Sequence, residues 1–406
     1  MGLLLSDSSA LCEWILHTPH APDGGPSFVR ELCHRLRSLG LPLWRMSVAL
    51  LTKHPEVLWR TVQWHEDEGV HVLEREHRTS QEPFFTQSPV ALLVHGSPNI
   101  RVRLTDEAVA FPICRDLQKQ GGTEYYAQGL KFTNGETSYV SWATRHPQGF
   151  GDEMVRTLDA IAPSLARRVE LESAYHATRT LLGVYLGRNA ARRVLDGAFK
   201  RGGGELIHAA IWFCDLRNFT PMSDRMDPHE VVEVLDTYFD RVAGTVAARG
   251  GEVLKFIGDA VLAIFPVGAD ATSACRNALI AAEDALASLQ SLNEARPAHD
   301  ALAIGVALHL GEVMYGNIGS KERLDFTVIS SSVNEACRLE ALCKVLKTPL
   351  TLSETFVGAL GGEDIVDLGE HDLKGVAAKV RVFTLSRHRP AVAAARPPAA
   401  HQDTRK

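Results

Sequence analysis

The sequence has no Cys-x-x-Cys pair, no His-Glu-x-x-His motif and no excess of positive charge. Each absence excludes a class of protein. The cysteines number seven, an odd count at irregular spacing. They form no disulfide framework and read as reduced thiols of a cytosolic protein, most of them acting as small buried hydrophobes. The 17 histidines show no zinc-ligand spacing, which excludes zinc chemistry. Lys and Arg total 43 against 49 Asp and Glu, a net charge of −6, and a general binder of nucleic acid or anionic membrane needs the opposite balance. The longest apolar stretches, such as Ala260 to Pro266, fall well short of the ~18 residues that span a bilayer. The start, Met1-Gly2-Leu3-Leu4-Leu5-Ser6-Asp7, lacks the basic residues of a secretory signal. What is there is an ordinary globular balance, 45% apolar and 23% charged over 406 residues. That length predicts two or three domains at roughly 150 residues each.

Composition and periodicity divide the chain. Residues 1–25 end in a turn-rich Pro/Gly run and read as a flexible lead-in. Over 26–150, Phe28, Leu32, Leu36 and Leu39 recur at helical spacing and Gly40 stops the helix. Strand-like runs follow at Trp44–Leu51, Thr61–Trp64, Val70–Leu73 and Ile100–Leu104. A last pair, Tyr125–Phe132 and Thr137–Ala143, is joined by Asn134-Gly135 as a hairpin. Residues 151–203 read as a helical linker, with a long helix over 151–186. Met154, Leu158, Ile161 and Leu165 form one apolar seam; Leu171, Tyr175, Thr178, Leu182 and Tyr185 form another, out of phase with the first. Two readings stay open: a parallel dimer stalk able to hold two registers, or one face packed on the preceding domain. Residues 204–386 follow a β-α-β-β-α-β order, which predicts a ferredoxin-like α+β sheet with helices on one face. Asp227-Pro228-His229-Glu230 marks the start of its first helix. The Ala/Pro-rich 387–406 reads as a disordered tail.

Four features of 204–386 carry chemistry. Asp215 ends the first strand and Asp259 sits in the Gly258-Asp259 turn joining the next two. Either alone is an ordinary turn residue, but strands of this topology end side by side. Two carboxylates there can share hard divalent cations through oxygen, and a pair of such cations suits phosphoryl transfer. Lys255 interrupts an apolar strand, with Val253 and Ile257 expected on its face and Leu254 and Phe256 on the other. Asn334 and Arg338 lie four apart on one helix face, where Arg338 could equally pair with Glu335.

Together, Phe213-Cys214-Asp215-Leu216-Arg217-Asn218-Phe219-Thr220, Leu254-Lys255-Phe256-Ile257-Gly258-Asp259-Ala260 and Arg323-Leu324-Asp325-Phe326-Thr327-Val328-Ile329, followed by Val333-Asn334-Glu335-Ala336-Cys337-Arg338-Leu339, resemble the class III nucleotidyl cyclases. The resemblance covers 204–386. It implies two Mg2+ or Mn2+ ions held by Asp215, Asp259 and the Leu216 carbonyl. It implies a ribose-orienting Asn334, a transition-state Arg338, a phosphate-binding Lys374, base-reading Lys255 and Thr327, and substrate contacts at Phe219 and Thr220. It further implies a homodimer whose two active sites draw the metal carboxylates from one subunit and the remaining residues from the other. The 26–150 region resembles a GAF-type sensory domain, with a PAS-like domain as the alternative, and its regulator is unknown.

The base-reading pair allows a choice of substrate. Adenine presents an acceptor at N1 and a donor at its 6-amino group, whereas guanine presents the reverse. An ammonium can only donate, so Lys255 suits adenine N1 and opposes guanine N1–H, and Thr327 can accept from the 6-amino group. Guanylyl cyclases typically carry Glu at the Lys255 position. The expected function is therefore an adenylate cyclase making 3′,5′-cyclic AMP and pyrophosphate from ATP. A guanylate cyclase and an inactive nucleotide-binding or dimerisation protein are the alternatives. A diguanylate cyclase lacks support, because Ile257-Gly258-Asp259-Ala260-Val261 stands where Gly-Gly-Asp/Glu-Glu-Phe is required. Two departures from the family pattern stand out. Ser330-Ser331-Ser332 replaces the usual Gly after Val-Ile, and Glu312 occupies a position that is Arg in some mammalian cyclase halves.

Overall fold

The computed structural model describes residues 5–20, 23–51, 57–76, 86–97, 99–107, 109–197, 200, 202–297, 301–362, 364–373 and 379–390. They form two compact units, one ending at Tyr185 and one starting at Leu186.

The first unit is built on β1 (Arg45–Leu51), β2 (Val57–His65), β3 (Gly69–Glu76), β4 (Ile100–Arg103), β5 (Glu124–Lys131) and β6 (Thr137–Thr144). These strands form one antiparallel sheet in the order β3-β2-β1-β6-β5-β4. Alternation along each strand gives the sheet two faces. Met46, Val48, Val62, Trp64, Tyr126, Val140 and Trp142 meet α1 (Leu5–His17), α2 (Pro26–Ser38) and the first half of α5 (Asp152–Leu186) in one core. The opposite face is covered by α3 (Pro89–Val94) and α4 (Pro112–Lys119). The Asn134-Gly135 turn forms as expected: Gly135 has φ 88°, and Asn134 Oδ1 accepts from the Glu136 amide at 2.9 Å.

One expectation for this unit needs correction. Residues 1–25 are not a flexible lead-in over their described part, because α1 buries Leu11 and Ile15 in the core. The chain after it is held by a buried cluster: Arg168 pairs with Glu172 at 2.7 Å, donates to the Pro19 carbonyl at 3.0 Å, and shares Glu172 with His20. Turn-forming residues describe local conformation and are blind to such tertiary anchoring. For the long helix, Leu158, Ile161, Leu165 and Val169 pack on their own domain, so the first seam is core. The second seam leaves Leu171, Tyr175 and Tyr185 exposed.

The second unit opens with α6 (Arg188–Leu195), inside the stretch expected as linker, whose Ala190 is buried with the sheet residues Ile211 and Phe213. Its strands are β7 (Gly204–Leu216), β8 (Glu252–Ile257), β9 (Ala260–Pro266), β10 (Ile304–Gly319), β11 (Leu324–Ile329), β12 (Leu350–Ser353), β13 (Ile365–His371) and β14 (Val380–Leu385). The sheet order is β13-β14-β12-β10-β7-β9-β8, with β11 folded back on the far half of β10. The helices are α7 (Phe219–Ser223), α8 (Pro228–Ala248), α9 (Ala271–Asn293), α10 (Ser331–Leu346) and α11 (Glu354–Leu360). Asp227 and Glu230 form the capping box expected at α8.

The helices do not lie on one face as expected. α8 and α9 cover the Ala210/Trp212/Cys214 side of β7, whereas Ala336 of α10 packs on the Ile211/Phe213 side. Central β7 is apolar on both faces, and burying both takes a layer on each side. The tail too begins later than expected: Arg387 and His388 both pair with Glu283, at 2.5 and 2.7 Å. Residues 391–406 lie outside the described residues.

Candidate active site

Strand β7 carries Asp215 at its end, opposite the β9 start that follows Asp259. The two carboxylates come within interaction range. Burial first, then the charge and hydrogen bond of Asp259, raise the Asp215 pKa above the ordinary carboxylate value, and Arg217 pulls it down. Two acidic groups so placed repel one another when ionised, and a divalent cation relieves that. With the Leu216 carbonyl, all donors are hard oxygens, so this set fits Mg2+ or Mn2+. No cluster of three or more His, Cys, Asp or Glu that could hold a metal occurs among the described residues.

Asp215, Leu216, Phe219, Thr220 and Asp259 line one groove of about 660 Å3, together with Arg217, Lys344 and Lys347. The last three escaped the sequence reading. Arg217 Nη2 is 2.7 Å from Oε1 of buried Glu340. Burial foremost raises the Glu340 pKa to about 7; Arg217 opposes this and the two aspartates add to it. Glu340 lies two residues after Arg338 on α10, on the helix's inner side, and only the packing of α10 beneath β7 reveals its pairing. Gly305 is opposite Asp215 in the β7–β10 register, and a Cβ there would collide with the Arg217 guanidinium and the Glu340 carboxylate. Gly305→Ala is expected to cost about 1–3 kcal/mol through overpacking. It should also lower turnover, by pushing Arg217 toward the carboxylates. Thermal unfolding and nucleotide turnover of the variant check this, and an unchanged midpoint would refute the packing account.

The other expected residues stand elsewhere. Neither Lys255, Thr327, Asn334 nor Arg338 lines the carboxylate groove. Lys255 is on β8, where the register shifts between Val253 and Lys255. This bulge corrects the expected alternation. Val253 packs with the α8/α9 core and Phe256 against Phe239, while Leu254 packs on the opposite side. Lys255, paired with Leu262 of that opposite side, joins Leu254 there rather than Val253. A bulge re-aims side chains without changing the sequence pattern. Lys255 is thereby turned to Asp325 on β11, and its ammonium forms an ion pair with that carboxylate. The hydrogen bond from Lys255 lowers the Asp325 pKa. Thr327 lies two residues along β11, on the same side as Asp325, and is buried.

Asn334 is exposed and Arg338 half-buried on α10. The alternative Arg338–Glu335 pair does not form, and Glu335 instead lies 3.5 Å from His309. Arg338 has no ion-pair partner among the described residues. Ser330 caps α10 by accepting from the Val333 amide at 3.1 Å, with extended backbone, so the serine run is compatible with a regular helix start. Glu312 is exposed. Lys374 lies outside the described residues.

Comparison with known proteins matches residues 205–387 to the adenylate and guanylate cyclase catalytic domain. "Adenylate cyclase 1" of Rhizobium meliloti is 36% identical over 178 residues, which are 42% of this chain and 26% of that protein. "Adenylate cyclase" of Anabaena cylindrica is 31% identical over 159 residues, 38% of this chain and 31% of that protein. The chain thus spans about a third or less of these curated relatives. A solved bacterial light-regulated adenylyl cyclase is 29% identical, with a TM-score of 0.41, covering 46% of this chain and 93% of that one. No helix among the described residues is long and apolar enough to cross a membrane. The carboxylate pair, the strand-borne lysine and the Asn/Arg helix all fall within one matched segment, and residues 205–387 belong to the adenylate and guanylate cyclase catalytic domain family.

Proposed function

We propose that the protein is an adenylate cyclase, converting ATP to 3′,5′-cyclic AMP and pyrophosphate. The observation that carries the choice of ATP is the bulge-directed Lys255 ammonium, paired with Asp325 two residues before Thr327 on β11. The ion pair with Asp325 limits the rotamers of Lys255, so the ammonium is ready to donate to adenine N1. Thr327 accepts from the 6-amino group. Asn334 holds the ribose so that its 3′-oxygen faces the α-phosphorus; the new O–P bond forms as the bond to pyrophosphate breaks, and the hydroxyl proton passes to water. Arg338 donates to the α-phosphoryl oxygens as their charge grows. Two divalent ions at Asp215, Asp259 and the Leu216 carbonyl would supply Lewis-acid activation of the ribose hydroxyl and charge neutralisation at the triphosphate. Lys374, Phe219 and Thr220 complete the substrate contacts.

The active unit in this reading is a homodimer. Its support is the separation within one chain: the groove holding the carboxylates contains none of the four residues that read base, ribose and α-phosphate. The first unit acts as a GAF-type sensor in the same cytoplasmic protein, a reading supported by its helix-then-antiparallel-strand order and six-stranded sheet. Helix α5, through its exposed second seam, serves as the dimer stalk.

A guanylate cyclase has one observation in its favour: the Asp325 carboxylate beside Lys255 can accept from guanine N1–H. Purified protein assayed with ATP or GTP, each with Mg2+ and Mn2+, separates the two. Cyclic AMP is expected to predominate. Predominant cyclic GMP would move the base contact to Asp325, and no cyclic product under any condition would leave an inactive nucleotide binder.

A further inference from the structure

The α3/α4-covered face of the first unit's sheet is unusual for a buried surface. Its alternate positions are Arg45 and Ser47 on β1, Thr61 and Gln63 on β2, and Ser141 on β6. Ser47, Thr61 and Ser141 are at most 4% exposed, so these groups do not face solvent. A covered sheet face is ordinarily apolar. Here hydroxyls, an amide and a guanidinium converge on a cavity of about 90 Å3 between the sheet and the helices. The rest of its wall is apolar or aromatic, including Trp59, Val90, Ile113 and Tyr139.

Arg45 is the group that demands an explanation. Its Nη2 donates to Gln63 Oε1 at 2.8 Å. No carboxylate pairs with it among the described residues, and its electrostatic neighbours are the phenols of Tyr125 and Tyr139 and the thiol of Cys114. Desolvation by the surrounding protein lowers its pKa, although a guanidinium remains charged. Buried charges are normally paired, and a guanidinium offers five donors in a fork that matches a carboxylate.

We propose that this cavity is a binding site for a small organic monocarboxylate with an aromatic or branched aliphatic body. The carboxylate supplies the counter-ion that Arg45 lacks among the described residues, accepting from its N–H donors, and the hydroxyls of Ser47, Thr61 and Ser141 complete the polar shell. The body packs against Ile113, Val90 and Tyr139. One guanidinium balances one negative charge, which disfavours a phosphate dianion. A chain carrying a catalytic domain after this unit then has an entry point for a metabolite signal.

The test uses the full chain and three probes, benzoate, phenylacetate and isovalerate. Calorimetry and the thermal midpoint are read up to about 10 mM, where even weak millimolar binding is visible. Benzamide serves as the neutral isostere and phenyl phosphate as the dianion. At least one carboxylate is expected to bind and raise the midpoint, with benzamide and phenyl phosphate roughly tenfold weaker or more. Arg45→Met should abolish the binding while leaving the ligand-free midpoint unchanged or higher, because an uncompensated charge is removed. Val90→Phe, which fills the cavity and keeps Arg45, should abolish it as well and decides the matter if the Arg45 variant does not fold. Failure of all three carboxylates, equal binding of benzamide, or binding that survives Val90→Phe would overturn the proposal.

Discussion

A one-to-one mixture of Asp215→Ala and Arg338→Ala proteins is expected to regain about a quarter of wild-type turnover, although each variant alone is nearly inactive. Asp215 sits in the carboxylate groove with Asp259, and Arg338 is absent from its lining. Removing the carboxylate should leave the divalent ions without half of their protein charge. Loss of Arg338 leaves α-phosphoryl charge unmatched, which typically costs about 10²–10³ in turnover for one transition-state donor. If the two residues serve one site in one chain, no mixture can restore activity. If each site draws Asp215 from one subunit and Arg338 from the other, a heterodimer has one doubly damaged site and one intact site. Random pairing makes about half of the dimers mixed, and half of their sites whole. Turnover and heterodimer formation, followed by differently tagged chains, check this together. Mixed dimers without recovered activity would refute the shared site.

The second large effect concerns base choice. Lys255→Glu is expected to lower kcat/KM for ATP by roughly 10²–10³-fold, because adenine N1 then meets an acceptor instead of a donor. The loss for GTP should be much smaller, since the new carboxylate can accept from guanine N1–H. The ion pair with Asp325 sharpens this expectation. In Lys255→Glu two carboxylates face each other, so stability and total activity also fall. The double change Lys255→Glu with Asp325→Asn should recover stability while keeping the altered preference. Competition between ATP and GTP in one reaction measures the ratio directly. An ATP preference unchanged in both variants would show that Lys255 does not read the base.

The sequence alone singled out the candidate residues and their order. Asp215, Asp259, Lys255, Asn334 and Arg338 stand out as candidates because a motif is a local pattern tied to strand ends and helix faces. The antiparallel strands of the first unit were legible too, since alternation and the Asn134-Gly135 turn are local signals. The tertiary structure alone decided the rest. The β8 bulge turned Lys255 onto the Leu254 side, and a one-residue register shift leaves no mark in composition. The partnerships Lys255–Asp325 and Arg217–Glu340 join residues 70 and 123 positions apart. Burial fixed the Arg217–Glu340 pair, because a buried charge must find a partner wherever packing brings one. The exposed Lys255–Asp325 pair instead follows from the β8 bulge that aims Lys255 at β11. Burial also ordered the 18–20 stretch through Arg168 and Glu172, whereas Arg45 faces a cavity with no carboxylate partner among the described residues. Sequence specifies which groups exist and what each can do. Close packing decides which of them meet, because contact depends on the shape of the whole core rather than on any local run of residues.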